Sequence, residues 1–249
     1  MSNDPLLEGL AELTTDAPPQ LLDRVAARWV TVDGPLGDVF VAYTDHGIAY
    51  LRPAGASAAD DFRERFRRPL LPGARPPAGL APALRSGATS GLEIDLRGLT
   101  AFQAAVLRTT REIPRGQLRP YAWIAHQLGR PRAVRAVGSA LATNPVPLLI
   151  PCHRVTRADG TTGQYIFGAH AKQHLLAAEG VDLEYLHALA RRGVHYLANA
   201  DTTVVCHPTC PAARQTPTAG RREFRTLPEA RAAGYQPCGH CRPAIGGQG

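Results

Sequence analysis

One stretch decides how the rest of the chain is interpreted: Asn144-Pro-Val-Pro-Leu-Leu-Ile-Pro-Cys-His-Arg-Val155. Its three prolines remove backbone donors and fix φ, so we expect neither a helix interior nor a central strand here. The apolar residues between them predict a path through the interior that ends on Cys152 and His153. Free cysteine has a pKa of about 8.5, so a nucleophilic thiol needs a base such as His153. The alternative is that Cys152 is an inert, buried cysteine.

The complete segment favours the interpretation of Cys152 as a nucleophile, because it resembles the active-site signature of the O6-alkylguanine-DNA alkyltransferases. Members of this family repair DNA by moving an alkyl group from guanine onto a cysteine. The resemblance implies that Cys152 is the nucleophile, that His153 relays the thiol proton and that Glu179 orients His153. It also implies that Tyr121 gives a proton to the guanine and that Asn144 organises the active-site turn. The product is a thioether that no group here could hydrolyse, so one turnover should consume the protein.

The base pocket is also implied by the resemblance, since Tyr165 and Gly168 lie where the family lines it. The family often has a small residue and glycines directly after this tyrosine. Here Ile166 and Phe167 intervene before Gly168, which leaves the tolerance of bulky adducts open.

The charge distribution suits a nucleic-acid partner better than the net charge does. The chain of 249 residues carries a net charge of +7, and its basic residues are arginines except for Lys172. Between residues 97 and 157, ten arginines accompany a single acid, Glu112, which is typical of a phosphate-binding surface. We therefore expect a nucleic-acid partner, which the resemblance implies is double-stranded DNA carrying alkylated guanine. We also expect a monomer.

No apolar run approaches eighteen residues, so we expect no transmembrane helix and no membrane partner. The first residues include Asp4 and Glu8 and lack the basic start of a signal peptide. These observations predict a cytoplasmic protein.

Three helices are predicted from residue 100 onward. Thr100-x-x-Gln103 is a capping-box pattern, Pro120 suits the start of a second helix, and residues 133–143 form a third helix rich in small side chains. This order is typical of a helix-turn-helix. In the family the third helix enters the minor groove, which implies a DNA-contacting set with Arg135 filling the gap left by a flipped base. That set comprises Arg135, Ala136, Gly138 and Arg154. The alternative is that the small residues pack tightly against a neighbouring helix.

The predicted architecture is a multidomain α+β protein. Residues 1–28 are expected to form a helical extension, and residues 29–95 a scaffold that resembles the ribonuclease-H-like half of the family. A hairpin is predicted around Asp45-His-Gly47, and residues 69–82 read as a loop. Residues 96–185 should hold the winged, helix-turn-helix-type alkyltransferase half, and residues 196–245 a small zinc-binding α/β unit.

The remaining four cysteines form two pairs: Cys206-x3-Cys210 and Cys238-x2-Cys241. Two close pairs separated by 27 residues are typical of a closed tetrahedral Zn²⁺ site. The surrounding sequence resembles the Ada-type metal-binding domain, whose first zinc cysteine, here Cys206, accepts methyl from methylphosphotriesters. The family's basic residues near the second pair are replaced by Gln236, Gly239 and His240. A structural zinc knuckle therefore stays open as the alternative, as does a DNA-damage sensor or regulator for the protein as a whole.

Overall fold

The computed structural model of the chain describes residues 25–243, which fold as a mixture of helices and sheets. They form two compact units: residues 25–99 with Pro145–Leu149, and residues 100–144 with 150–243. The helical extension predicted for residues 1–28 lies outside the described residues, apart from its last four, of which Ala27 and Arg28 begin the first strand. Within residues 25–243, no helix has the length and apolar character needed to cross a bilayer.

The first unit is built on a four-stranded sheet in the order β3-β2-β1-β4. Its strands are β1 (Ala27–Val32), β2 (Val39–Thr44), β3 (Gly47–Pro53) and β4 (Leu70–Pro72). The predicted hairpin is confirmed, because β2 and β3 pair antiparallel across Asp45-His46. Gly47 has a φ of 120°, and a Cβ there would collide with the Glu93 carbonyl, so the turn requires glycine.

Two helices accompany this sheet: α1 (Ala58–Phe66) and α2 (Leu80–Ser86). Tyr50 from β3 packs edge-on against Phe62 and Phe66 of α1, which forms the aromatic centre of this core. The prediction of a loop over residues 69–82 was wrong at both ends. Leu70 and Leu71 pair in parallel with β1, and α2 begins at Leu80. Pro72 is tolerated in β4 because β4 is an edge strand.

The second unit begins with three helices that pack on one another: α3 (Ala101–Arg111), α4 (Tyr121–Gln127) and α5 (Val134–Ala142). The predicted capping box is confirmed, since Thr100 and Gln103 exchange both of its hydrogen bonds. Strand β5 (Arg119–Pro120) precedes α4 directly and pairs in parallel with β6 (Val155–Thr156). This pairing ties the start of α4 to the residues that follow Cys152.

The remainder of this unit contains α6 (Gly168–Ala178), α7 (Leu183–Arg191) and a second four-stranded sheet in the order β10-β8-β7-β9. Its strands are β7 (Tyr196–Asn199), β8 (Val204–Cys206), β9 (Arg221–Phe224) and β10 (Gln236–Pro237). Two short helices, α8 (Pro211–Gln215) and α9 (Leu227–Ala232), connect them. Leu189 and Val194, in and just after α7, pack against the four cysteines, so this connecting helix belongs to the core around them.

Candidate active site and metal centre

The signature segment is neither helix nor strand up to Pro151, as its prolines predicted. Val146, Leu149 and Ile150 are completely or almost completely buried. Leu148 has a φ of 74°, which is a left-handed conformation. This conformation is unfavourable for a residue other than glycine, and tight packing around the residue can stabilise it. The chain then turns through a 3-10 helix, Cys152–Arg154, before entering β6.

Cys152 is 7% exposed and faces a cavity of about 340 Å³. Buried Asn144 donates a hydrogen bond to the Ile150 carbonyl at 3.0 Å and another to Cys152 Sγ at 3.2 Å. The first bond fixes the turn, and the second favours a negatively charged sulfur over a neutral thiol. The cavity is lined by Tyr121, Gly138, Leu141, Ala142, Cys152, Arg157, Gln164, Tyr165 and Ile166.

His153 and Glu179 meet beside the cysteine, with 2.9 Å between His153 Nε2 and Glu179 Oε1. Burial alone would raise the pKa of Glu179, but hydrogen bonds from His153 and Arg154 outweigh it and hold the pKa at about 2. Burial lowers the pKa of His153 below its ordinary value, although Glu179 partly opposes this. Near neutral pH the site therefore contains a carboxylate and a neutral imidazole.

A neutral His153 that donates its Nε2 proton to Glu179 leaves Nδ1 as a proton acceptor. Nδ1 is buried and, among the described residues, has no hydrogen-bond partner. Burial, and next the charge of Cys152 once it is ionised, raise the pKa of Tyr121, so its hydroxyl stays protonated. The site thus combines a potential base for the thiol with a potential acid for a departing group.

Arg154 corrects one prediction. It was expected to contact DNA, but it is 3% exposed and its guanidinium is fully engaged inside the protein. It donates to both carboxylate oxygens of Glu179 and, at 2.7 Å, to the Ile113 carbonyl. Arg119, another of the ten arginines expected near phosphate, is buried as well. The arginine-rich segment therefore supplies interior ion pairing and not only surface charge.

The other predicted DNA contacts lie on α5. Arg135 and Ala136 are exposed, and Gly138 is half-buried at the edge of the Cys152 cavity. Tyr165 also lines the cavity and meets the His153 ring edge-on at 5.9 Å, whereas Gly168 begins α6 and is not part of the lining. Ile166 lines the cavity and is 36% exposed.

Lys172 was not identified from the sequence. It is completely buried, and its Nζ donates to the carbonyls of Val155 and Thr162, on the two sides of the loop that follows the cysteine. Burial lowers the pKa of Lys172 to about 8, while the charge of Cys152, once ionised, opposes the shift. The only available signal was that this is the single lysine among 28 basic residues.

The four cysteines of the C-terminal unit lie together, as their spacing predicted. All four are buried, and their Sγ atoms lie within 4.8 Å of one another. A tetrahedral Zn²⁺ with bonds of about 2.3 Å needs sulfur separations of about 3.8 Å, so the set fits this ion. Cys206 also lines a cavity of about 230 Å³ formed by β7, β8 and α8.

Two known families match the chain in sequence. Residues 101–181 match the 6-O-methylguanine DNA methyltransferase, DNA binding domain, and residues 188–244 match the metal binding domain of Ada. The bifunctional transcriptional activator/DNA repair enzyme Ada of Escherichia coli is 35% identical over 179 residues, which are 65% of this chain and 48% of that protein. This chain thus spans about half the length of Ada.

Further relatives match over most of their length. A methylated-DNA–protein-cysteine methyltransferase of Mycolicibacterium paratuberculosis is 38% identical over 154 residues, covering 60% of this chain and 90% of that protein. The crystal structure of Mycobacterium tuberculosis OGT in complex with DNA is similar with a TM-score of 0.51 and 30% identity, covering 64% of this chain and 98% of that one. The chain accordingly belongs to the methylated-DNA–protein-cysteine methyltransferase family.

Proposed function

We propose that this protein repairs DNA by transferring the alkyl group of O6-alkylguanine to Cys152 in a single turnover. The observation that carries the proposal is the position of Cys152. Its sulfur accepts a hydrogen bond from Asn144 and faces a cavity shared with Tyr121, and the next residue, His153, pairs with Glu179. This arrangement fits a nucleophile better than an inert buried thiol.

The proposed reaction is displacement at the alkyl carbon. His153 Nδ1 takes the Cys152 proton, directly or through a water, and Glu179 balances the resulting imidazolium. The thiolate forms an S–C bond as the C–O6 bond breaks, and the electron pair moves into the guanine ring. We assign Tyr121, which lines the same cavity, to donate a proton to the departing base. The thioether has no leaving group that nearby side chains could displace, so the protein is consumed.

The guanine must leave the duplex to reach Cys152, at a cost of a few kcal/mol. Helix α5 supports this step, because Arg135 and Ala136 are exposed on the helix whose Gly138 borders the cavity. We assign Arg135 to the space vacated by the base. A DNA ligand is further supported by the DNA complex named for the related OGT structure.

The finer architecture is proposed on the same basis. We assign residues 29–95 to the ribonuclease-H-like scaffold, 96–185 to the winged helix-turn-helix half and 196–245 to the zinc unit. The four-stranded sheet, the packed helices α3 to α5 and the four-cysteine sheet support the respective assignments. Residues 1–28 are proposed as an extension without chemistry of its own.

The proposal is tested with duplex DNA that carries O6-methylguanine labelled in its methyl group. Wild-type protein should take up label until each chain holds one methyl group. Cys152→Ala should take up none while its DNA affinity stays close to that of the wild type, and Arg231→Ala, on the exposed surface of α9, should take up label like the wild type. Label on Cys152→Ala equal to that on the wild type would refute the assignment.

We also propose a second methyl acceptor, because Cys206 is the zinc-site cysteine that lines the cavity of about 230 Å³. When bound, Zn²⁺ keeps the cysteine sulfurs deprotonated at neutral pH. Cys206 Sγ would attack the methyl carbon of a methylphosphotriester, and the C–O bond would break to leave a phosphodiester anion. No base flipping is needed, because that methyl lies on the DNA backbone.

Duplex DNA carrying only methylphosphotriesters distinguishes this reaction from the first. Methyl should appear on the Cys206 peptide in both the wild type and Cys152→Ala. If Cys152 is modified by O6-methylguanine while the Cys206 peptide stays unmodified with both substrates, the four-cysteine unit is a structural zinc knuckle.

A further inference from the structure

The four-cysteine unit is not separated from the alkyltransferase half but lies directly against β5 and α4. Trp123 Nε1 donates to the Cys241 carbonyl at 3.0 Å, and the Leu118 amide donates to Thr209 Oγ1 at 2.8 Å. At the border, Arg242 pairs with Glu112 at 3.1 Å. All of these residues belong to one compact unit.

His240, one of the residues that replace the basic side chains expected near the second cysteine pair, takes part in the same interface. Its Nε2 lies 3.2 Å from Gln117 Nε2, so one of the two nitrogens must be the acceptor of this bond, and only the histidine ring can be. The segment from Cys238 to Arg242 therefore contacts the alkyltransferase half.

Arg119 lies at the centre of this interface and is one of the largest fully buried side chains among the described residues. It donates to the Leu118 carbonyl at 2.8 Å and to Gln117 Oε1 at 2.6 Å, and its guanidinium lies over the Trp123 ring. None of the ion pairs formed within residues 25–243 includes it. A buried cation without a carboxylate partner requires another source of negative charge.

The zinc site is the source of negative charge beside this interface. The Arg119 guanidinium lies over Trp123, which donates to the Cys241 carbonyl, and its acceptor Gln117 meets His240, between Cys238 and Cys241. Burial lowers the pKa of Arg119, and the cysteines, when ionised, oppose this shift. Four thiolates with one bound Zn²⁺ would leave a net charge of −2, which is itself costly to bury without a cation.

We propose that Arg119 is the counter-ion of the zinc–thiolate site and that zinc binding thereby holds β5 and α4 in place. The connection is short: Arg119 is in β5, which pairs with the strand that follows Cys152–Arg154, and Tyr121 begins α4. The zinc unit is thus a structural support of the alkyltransferase half, whether or not Cys206 accepts methyl groups.

The counter-ion role is tested by measuring Zn²⁺ affinity in competition with a chromophoric chelator. Arg119→Met should bind Zn²⁺ at least about tenfold more weakly, in the range of changes to groups that surround a metal site. Arg119→Lys, which keeps the charge, should recover most of the loss, which repacking alone would not explain. Arg231→Met, on the exposed surface of α9, is the matched control and should match the wild type. An affinity of Arg119→Met within twofold of the wild type overturns the counter-ion role.

The structural coupling is tested on the unmodified protein, so that it does not depend on the folding of a variant. Amide hydrogen exchange is compared before and after Zn²⁺ is removed by chelation. Exchange in α4 should accelerate, while exchange in β1 to β3 of the first unit should stay unchanged. Equal protection of α4 with and without Zn²⁺ overturns the coupling. Neither experiment uses alkyl transfer, so its outcome is independent of the proposed function.

Discussion

Glu179 shows how one residue serves both the stability and the chemistry of the site. Its carboxylate accepts from His153, from Arg154 and, at 3.0 Å, from the Gly116 amide. It neutralises a buried arginine and, by accepting from His153 Nε2, leaves Nδ1 of that ring as the proton acceptor. The sequence placed Glu179 with His153 only through a family resemblance, and nothing in it indicated that Arg154 would take the larger share of the carboxylate.

Glu179→Gln should lower the free energy of unfolding by about 3–5 kcal/mol, because it leaves Arg154 buried without its counter-charge. Glu223→Gln, which breaks the exposed pair with Arg192, is the control and should cost no more than about 1 kcal/mol. Urea unfolding of both variants measures the difference. Equal losses would show that the buried ion pair stabilises the fold no more than the exposed pair does.

The stability difference between the wild type and Glu179→Gln should also depend on pH. Since the folded pKa of Glu179 is about 2 and its ordinary value is 4.5, the ionised carboxylate stabilises the fold fully above about pH 4.5. This contribution is lost as the pH falls toward 2. The gap in stability between wild type and Glu179→Gln should therefore be constant near neutrality and shrink below pH 4.5; a gap that grows on acidification would contradict the assignment.

Tyr121→Phe should slow methyl transfer by about 100-fold or more, because a positioned acid is lost, while DNA affinity stays the same. The raised pKa of Tyr121 keeps its hydroxyl protonated up to at least about pH 10, so the ratio of the wild-type rate to the Tyr121→Phe rate should stay constant between about pH 7 and 9. Single-turnover rates of both proteins across this range provide the test. A ratio close to one, or a ratio that falls within this range, would exclude Tyr121 as the acid.

At the scale of elements, sequence patterns predicted what is local and missed what is not. The Thr100 capping box and the hairpin at Asp45-His46 depend on neighbouring residues, and both are confirmed. Strand β4 was missed because its Leu70-Leu71 pair is too short for a periodic signal and becomes a strand only by pairing with β1.

The proposed role of helix α5 in base flipping can be tested through Arg135. Arg135→Ala should slow transfer from duplex DNA by about tenfold or more, but transfer from free O6-methylguanine base should be unaffected, since only the duplex requires a flipped nucleotide. Arg85→Ala, an exposed arginine on α2, controls for the lost positive charge. Slowing of both substrates to the same extent would place Arg135 in the chemistry or in folding.

At the scale of the whole molecule, the sequence predicted the parts better than their assembly. The cysteine spacing alone predicted that the four sulfurs lie together, because two close cysteine pairs are the usual ligand arrangement of a tetrahedral zinc site. It could not predict that Trp123 would bond to Cys241 or that Leu118 would bond to Thr209, since these contacts join residues more than 90 positions apart and follow no repeated pattern. The burial of Lys172 was not predicted for the same reason, because only the carbonyls that surround its ammonium group in the fold explain it.

The measurement that tests the account most directly is peptide mass mapping after incubation with duplex DNA containing one O6-methylguanine per molecule. The account predicts one methyl group on the peptide that contains Cys152, an amount that rises to one equivalent per chain and then stops, and guanine restored in the DNA. Restored guanine with an unmodified Cys152 peptide, or repair that continues beyond one equivalent, would contradict it.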